Sequence, residues 1–278
     1  MRSQHRKVIS ASRREDLPGF AAQRLIDSLE KKCPPHRVHT LVLWTKNPLP
    51  LISNAKLNRA IQNYDQLFIH LTVTGMGGTP LEPGIPETSR ILHLIPNLIQ
   101  LVGSPERMAV RFDPIVHFQL PDGTTYTNIK AFKTIAVHVK EYGIGRMITS
   151  WMTTYPKVNN RLRDLEITSV PLAKEHWKKE MTQLKQISKE TGVELQGCCV
   201  PDMKMSACVD GCLFNQLHPE GLSASIKKAG GQREHCGCTE SWDIGWYYPC
   251  PGGCVYCYAN PKKMVAKEDF MTWNPDPK

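Results

Sequence analysis

The chain has 278 residues, 41% of them hydrophobic, and a formal net charge of +9. This length suits one large α/β barrel or two small domains, and the apolar fraction is sufficient for a packed core. No run of about 18 apolar residues occurs, which excludes a transmembrane helix, and the polar, basic start lacks the apolar stretch of a secretory signal. We therefore expect a cytoplasmic protein with no membrane partner, whose charge is compatible with binding nucleic acid.

Short runs rich in β-branched residues alternate with segments of helical periodicity. The sequence predicts six strands, which are Lys7–Ala11, Thr40–Trp44, Leu67–Thr74, Met108–Phe112, Met147–Trp151 and Val193–Gly197. Between them it predicts four helices, which are Ala21–Lys32, Glu87–Leu101, Asn128–Tyr142 and Ala173–Thr191. This alternation indicates an α/β fold with a parallel sheet and right-handed crossovers. The number of strand–helix units favours a full or partial barrel over a small doubly wound sheet.

Polar residues follow four of the predicted strands at the point where each strand ends. The segments are Ser10–Arg14, Thr45–Pro48, Thr72–Glu82 and Arg111–Pro114. In a parallel barrel the active site lies at the carboxyl ends of the strands. We therefore expect these segments to meet at one mouth of the barrel.

The composition changes after Gly197, where the chain becomes rich in cysteine and glycine. Nine of the ten cysteines lie between Cys198 and Cys257. Disulfides are disfavoured in the cytoplasm, so this density predicts metal binding. The predicted organisation is a barrel core over residues 1–197, a cysteine-rich metal-site insertion over 198–241, and a last segment over 242–278 that ends in a helix.

The most specific motif is Cys250-Pro-Gly-Gly-Cys254-Val-Tyr-Cys257. Three thiolates on one short loop can hold three irons of a [4Fe–4S] cube and leave the fourth iron open to a small molecule. Zinc is the alternative, with Cys254 and Cys257 as one knuckle and either Cys236 and Cys238 or Cys208 and Cys212 as the other. The C-x3-C-x2-C spacing favours the cluster, and Tyr256 would pack against it or against the cofactor that it binds.

This loop resembles the cluster motif of the radical S-adenosylmethionine (SAM) superfamily. There the amino and carboxyl groups of SAM chelate the open iron, and one electron cleaves a C–S bond to give a 5′-deoxyadenosyl radical. The resemblance implies an enzyme with Cys250, Cys254 and Cys257 as its catalytic cluster ligands, and a reductant such as flavodoxin or ferredoxin. In that superfamily the loop follows the first strand. A circular permutation, with Trp242–Tyr248 as the first strand of a TIM-like barrel, accounts for its late position here.

In this order the chain is similar to spore photoproduct lyase over four segments: Ala11–Leu17, Thr45-Lys46, Leu71–Thr74 with Leu81–Pro86 and Arg90, and Asp113–Ile115. The similarity implies Lys46 as the cation for the SAM carboxylate, with Ser12 and Thr72 as hydroxyl donors. It leaves Glu82 either to contact the ribose of SAM or to cap the next helix. Because that family acts on a DNA lesion, nucleic acid stays open as a substrate, as do a small metabolite and a peptide.

Over nearly its full length the chain resembles the uncharacterised family that carries domain of unknown function 1848. The shared segments are Ser10–Arg14, Trp44–Pro48, Arg111–Ile115, Cys236–Cys238, Asp243–Gly245 and Cys257–Asn260. This resemblance implies the same fold and cofactor but no particular reaction.

Six further cysteines could supply a second metal site. Four of them, Cys198, Cys208, Cys236 and Cys238, match cysteine positions of that family, whereas Cys199 and Cys212 do not. We expect these four to bind a second [4Fe–4S] cluster or a closed zinc site. An electron-transfer protein with two clusters and a zinc-stabilised nucleic-acid-binding module therefore stay open beside the enzyme. Cys33, on a helical pattern, is interpreted as a small buried hydrophobe.

Overall fold

The computed structural model describes residues 6–275, so the basic start of the chain and its last three residues lie outside the described part. A seven-stranded parallel sheet forms the centre of the molecule. In spatial order its strands are Trp242–Asp243 (β10), Lys7–Ala11 (β1), Val38–Thr45 (β2), Leu67–Thr72 (β3), Met108–Ile115 (β4), Arg146–Trp151 (β7) and Glu194–Gly197 (β9). All six predicted strands are confirmed, with small differences at their ends.

The helices of the described part are mostly short. They are Leu17–Phe20 (α1), Ala22–Lys32 (α2), Leu49–Ser53 (α3), Ala55–Ile61 (α4), Thr88–His93 (α5), Ile95–Val102 (α6), Phe132–Glu141 (α7), Pro156–Asp164 (α8), Lys174–Thr191 (α9), Gly211–Leu217 (α10) and Lys267–Thr272 (α11). None of those in residues 6–275 is long and apolar enough to cross a bilayer.

Two predicted helices differ from the observed ones. The helix expected over Glu87–Leu101 is split into α5 and α6, because Pro96 in the first turn of α6 has no N–H to continue the preceding helix. The helix expected over Asn128–Tyr142 starts as a 3-10 turn and becomes α-helical at Phe132. The predictions for α2 and α9 are confirmed almost to the residue.

The two faces of the sheet bury different parts of the chain. Side chains of one parity along the strands, such as Leu43 and Ile69, pack in the main core with helical residues such as Leu25 and Leu184. Side chains of the other parity, such as Trp44 and Phe68, pack against the cysteine-rich segment. Cys208 and Phe214 are among the residues of that segment that they contact. Because side chains alternate across a strand, the helices cover one face and the segment around residues 208–238 covers the other.

The sheet is open at both ends. Strands β10 and β9 stand at opposite edges, and no pairing joins them within residues 6–275. A second, three-stranded antiparallel sheet, which the sequence pattern did not predict, consists of His117–Gln119 (β5), Thr125–Thr127 (β6) and Thr168–Ser169 (β8). Its strands are too short to carry a readable hydrophobic period. The observed architecture is thus an α/β fold built on one open parallel sheet.

The late strand β10 lies parallel to β1, with Ser10 opposite Asp243. The Asp243 carboxylate accepts hydrogen bonds from Ser10 Oγ at 3.1 Å, Ser12 Oγ at 2.7 Å, and the amides of Arg13 and Gly245 at 3.0 Å each. The strand expected over 242–248 is therefore limited to Trp242–Asp243, because the chain turns to bring the Gly245 amide onto this carboxylate. One side chain thus joins the end of the chain to its beginning.

Replacing Asp243 by Asn should destabilise the fold by about 2 kcal/mol, because a hydrogen bond to a charged group contributes more than one to a neutral group. Each carboxylate oxygen accepts one backbone N–H. Either orientation of the Asn amide therefore sets its NH2 group against a backbone donor. Urea unfolding measures the loss. The matched change Asp164→Asn, on the exposed face of α8, should stay within about 0.5 kcal/mol. Equal losses for the two variants would contradict the role of Asp243.

Candidate functional site

The loop from Cys250 to Cys257 folds at the carboxyl edge of the parallel sheet. Its stem is closed by backbone bonds from Cys250 N to Asn260 O at 2.7 Å and from Lys262 N to Cys250 O at 2.9 Å. Gly253 adopts a left-handed φ of +65°, which lets the loop reverse tightly. Cys254 is buried and Cys257 partly exposed, and the thiols of Cys250, Cys254 and Cys257 lie close enough to influence one another's charge.

Backbone amides are directed at the sulfurs of this loop. The Ala259 N–H donates to Cys257 Sγ at 3.3 Å, and the amides of Gly252 and Asp16 donate to the Cys250 sulfur. Burial raises the pKa of Cys250 to about 11, because a thiolate loses its hydration there. A cation bound among the sulfurs has the opposite effect, since metal ligation stabilises the thiolate. Three neighbouring thiols, two of which accept amide hydrogen bonds, are a donor set that fits an iron–sulfur cluster.

The loop packs tightly on the turn after β3. Gly84 N donates to Gly252 O and Val255 N donates to Leu81 O, both at 3.1 Å. A Cβ atom on Gly84 would lie 2.2 Å from the Pro251 carbonyl oxygen, so only glycine allows this approach.

On the other side of the loop, Arg161 of α8 donates to the carbonyls of Val255 at 2.8 Å and Cys257 at 2.9 Å. The cysteine loop is thus held between the turn after β3 and helix α8.

Three residues expected to contact a cofactor meet beside this loop. Lys46 Nζ donates to Glu82 Oε1 at 2.6 Å and to the Tyr256 hydroxyl at 2.8 Å. The Tyr256 hydroxyl in turn donates to Glu82, which also accepts from Thr74 Oγ1 at 2.6 Å. Only 1% of the Glu82 side chain and 19% of the Lys46 side chain are exposed. Lys46 is therefore largely buried and is not a solvated loop lysine.

The charges in this group stabilise one another. Burial by itself lowers the pKa of Lys46, but the Glu82 carboxylate and the nearby thiols of Cys254 and Cys257 more than offset it, so the net pKa is raised. Burial and the same carboxylate hold the pKa of Tyr256 well above its usual range. Lys46 is therefore a fixed ammonium group that faces the cysteine loop.

Asp16 is a site residue to which sequence reasoning assigned no role. Its carboxylate accepts from the Gly19 amide at 2.8 Å, the Lys46 amide at 2.7 Å and Thr45 Oγ1 at 3.1 Å. Burial raises the pKa of Asp16 to about 6, although these hydrogen bonds oppose the shift. It positions the backbone of Lys46, and its own amide reaches Cys250. The sequence comparison included Asp16 in the segment Ala11–Leu17, but it did not predict the contacts that Asp16 makes.

The predicted hydroxyl donors, Ser12 and Thr72, make the following contacts. Ser12 donates to Asp243 and accepts from the Arg14 amide at 3.0 Å, so its hydroxyl joins β1 to β10. Thr72 ends β3, half-buried and in register with Arg111 of β4. The Arg14 guanidinium donates to the Gly245 carbonyl at 3.0 Å. Direct hydrogen bonds therefore join Lys46, Glu82 and Tyr256 beside the cysteine loop, whereas the roles of Ser12 and Thr72 as hydroxyl donors stay predictions.

The other predicted metal ligands meet on the opposite face of the sheet. Cys198, Cys208, Cys236 and Cys238 form one group of thiols, and Cys199 joins them. The sixth cysteine of this region, Cys212, is exposed on α10. Cys33 is buried, as expected for a small hydrophobe.

All ten cysteines are free thiols. Within residues 6–275 no group of three or more His, Cys, Asp or Glu side chains is arranged to hold a single metal ion.

A cavity of about 850 Å³ opens beyond the ends of β4 and β7. Its wall includes Ile115, Trp151 and Trp177, together with the Asn159 and Arg163 side chains of α8. Helix α8 also carries Arg161, which binds the backbone of the cysteine loop. The cavity is large enough for a small-molecule ligand and shares one helix with the loop.

A family model described as a domain of unknown function, DUF1848, matches residues 30–259. The matched part includes Lys46, Glu82 and the whole of the cysteine loop, and it starts after Ser10–Arg14. Neither a curated protein nor a solved structure matches the chain significantly.

The buried pair of Lys46 and Glu82 should show strong coupling in a double-mutant cycle. Lys46→Met leaves a buried carboxylate without its cation and should cost about 3 kcal/mol in the free energy of unfolding. Adding Glu82→Gln should recover part of that loss, because no uncompensated charge remains. Urea unfolding of the single and double variants checks this.

The exposed pair of Lys204 and Glu194, 2.8 Å apart, is the matched control. Its cycle should give a coupling below about 1 kcal/mol. Additive losses at Lys46 and Glu82 would show that the two groups do not act as a pair.

Proposed function

The chain belongs to the DUF1848 family, whose description names no reaction, and from the site itself we propose that it is a radical SAM enzyme. In this proposal Cys250, Cys254 and Cys257 hold a [4Fe–4S] cluster that binds SAM at its fourth iron. The observation that carries the proposal is the single loop on which three thiols lie next to one another, two of which, Cys250 and Cys257, receive amide hydrogen bonds. Three thiolates leave one corner of a cube without a protein ligand.

The cluster with SAM would supply one-electron cleavage of a C–S bond, and thereby abstraction of a hydrogen atom from a substrate. The residues around it have separate roles in this proposal. Lys46 presents a buried positive charge to the carboxylate of SAM, and Glu82 and Tyr256 hold that ammonium group in place. Arg161 keeps the loop backbone in position, and Asp16 joins the loop to the segment that carries Lys46.

The order of the strands supports a permuted, partial TIM-like barrel. In space β10 precedes β1, β2, β3, β4, β7 and β9, so the sheet is sequential once the last strand is placed first. The cysteine loop then follows the first strand of the sheet, which is its place in the radical SAM superfamily. Because β10 and β9 lie at opposite edges of the sheet and do not pair within residues 6–275, the proposed barrel is not closed.

The cavity beyond β4 and β7 is our candidate for the substrate site, because it lies at the carboxyl ends of the strands. Small metabolites, peptides and nucleic acids are the substrate classes to test. A reductant such as flavodoxin or ferredoxin would supply the electron. We propose the cytoplasm as its location, where ten free thiols are stable.

The second group of thiols favours one other candidate function. A protein with two clusters could serve in electron transfer alone. That function requires neither a largely buried cation at Lys46 nor a cavity of about 850 Å³ that shares helix α8 with the loop. The enzyme therefore accounts for more of the observed structure.

Anaerobic reconstitution with iron and sulfide, followed by SAM and dithionite, should yield 5′-deoxyadenosine and methionine, which liquid chromatography with mass spectrometry measures. Cys254→Ala should abolish both products, because a cube cannot keep its three-point attachment without that thiolate. Cys212→Ala, at an exposed thiol on α10, should leave the yield unchanged. A fully iron-loaded protein that leaves SAM intact would favour electron transfer, and zinc without iron would favour a zinc-stabilised nucleic-acid-binding module.

A further inference from the structure

Five cysteine thiols form a closed ring on the face of the sheet that the cysteine-rich segment covers. The Cys198 thiol lies beside those of Cys199 and Cys208. The Cys208 thiol also lies beside Cys238, and Cys238 lies beside Cys236. Cys199 and Cys236 close the ring. No member is in a disulfide, and Cys208, Cys236 and Cys238 are each less than 9% exposed.

Positively charged and amide donors point at this ring. Arg111 of β4 donates to Cys208 Sγ at 2.8 Å and also pairs with Asp113. Arg233 approaches Cys198 Sγ at 3.9 Å, and the Val209 amide donates to Cys238. Donors of this kind stabilise thiolates rather than neutral thiols. Arg111 is only 8% exposed, so its charge is directed into the protein and not towards solvent.

The ring also organises a segment that has little other structure. Between Gly197 and Trp242 the one regular element is the seven-residue helix α10, among residues that the structure describes. Cys208, Cys236 and Cys238 belong to the apolar cluster that packs this segment on the sheet through Val42 and Phe68. Three of the six buried residues that the segment contributes to this cluster are cysteines, and such a high share of buried thiols is typical of a fold that a metal centre stabilises.

We propose that Cys198, Cys208, Cys236 and Cys238 bind a second [4Fe–4S] cluster with four protein ligands. The site is independent of the radical SAM proposal, because it shares no ligand with the loop from Cys250 to Cys257. Four thiolates give such a cluster a net negative charge, and Arg111 and Arg233 are the cations that would balance it.

The choice between Cys198 and Cys199 rests on their positions. Cys198 donates its amide to the Thr149 carbonyl at the end of β7 at 2.8 Å, and its thiol faces both Cys208 and Arg233. Cys199 has a left-handed φ of +57° and follows directly in sequence. Two adjacent residues cannot easily reach separate corners of one cube, so Cys199 stays a neighbour and not a ligand.

An iron–sulfur cluster suits this ring better than one zinc ion does. Two thiolates on one zinc lie about 3.8 Å apart, given a Zn–S bond near 2.3 Å and tetrahedral geometry. A cube distributes its four ligands over four irons, and within residues 6–275 no group of three or more His, Cys, Asp or Glu side chains is arranged to hold a single metal ion, which favours the cube.

The test uses the full chain in which Cys250, Cys254 and Cys257 are all replaced by Ala, reconstituted without oxygen. This variant should keep about four irons and four sulfides per chain, against about eight of each in the unchanged protein. Mössbauer spectra should show a [4Fe–4S] centre with four equivalent thiolate corners. On this background Cys208→Ser and Cys198→Ser should lower the iron content to near zero.

Two matched controls keep the outcome interpretable. Cys199→Ser, within the ring, and Cys212→Ser, on the exposed face of α10, should both keep about four irons. Circular dichroism checks that each variant is folded.

A folded triple variant that binds no iron, or that binds one zinc and no iron, would overturn the second cluster. Loss of iron in Cys199→Ser with retention in Cys198→Ser would overturn the ligand set. A second cluster in a protein that does not cleave SAM would sustain this proposal and reject the radical SAM activity, so the two can fail separately.

Discussion

The pairing of the last strand with the first is the constraint on which the site depends. Strand β10 is only two residues long, and backbone pairing of that length contributes little by itself. The Asp243 carboxylate strengthens it with hydrogen bonds from the end of β1. The chain that leaves this junction reaches the turn after β3 within a few residues. The junction thus fixes the chain on the N-terminal side of the cysteine loop, and the turn after β3 and helix α8 hold the loop itself.

The buried charges beside the cysteine loop are paired with side chains from distant parts of the chain. Lys46 follows β2, Glu82 follows β3 and Tyr256 lies within the loop, yet the three side chains form one hydrogen-bonded group. An isolated charge at this depth would be strongly unfavourable, so each member depends on the other two. The same arrangement holds the Lys46 ammonium group beside the cysteine loop.

The two groups of thiols lie in separate cores. Cys254 packs with the helices in the main core, whereas Cys208, Cys236 and Cys238 pack in the smaller cluster on the other face of the sheet. Each group has its own buried cation, Lys46 in one case and Arg111 in the other. The sheet therefore separates two sulfur-rich environments that differ in solvent access and in neighbouring charge. Because of this separation, a cysteine substituted in one group does not contact the thiols of the other group.

The sequence by itself determined the strands and the parallel sheet, because period-2 runs and strand–helix alternation are local properties, and the spacing of the cysteines predicted their two groups. It also indicated Lys46, Glu82 and Tyr256. Only the tertiary structure decided that Asp16 links two of the site's segments, that the hydroxyl of Ser12 serves Asp243, and that Cys199 joins the second ring. These outcomes depend on contacts between residues far apart in the chain. The energy of burying a polar group depends on the distant residue that pairs with it, and a local sequence pattern does not identify that residue.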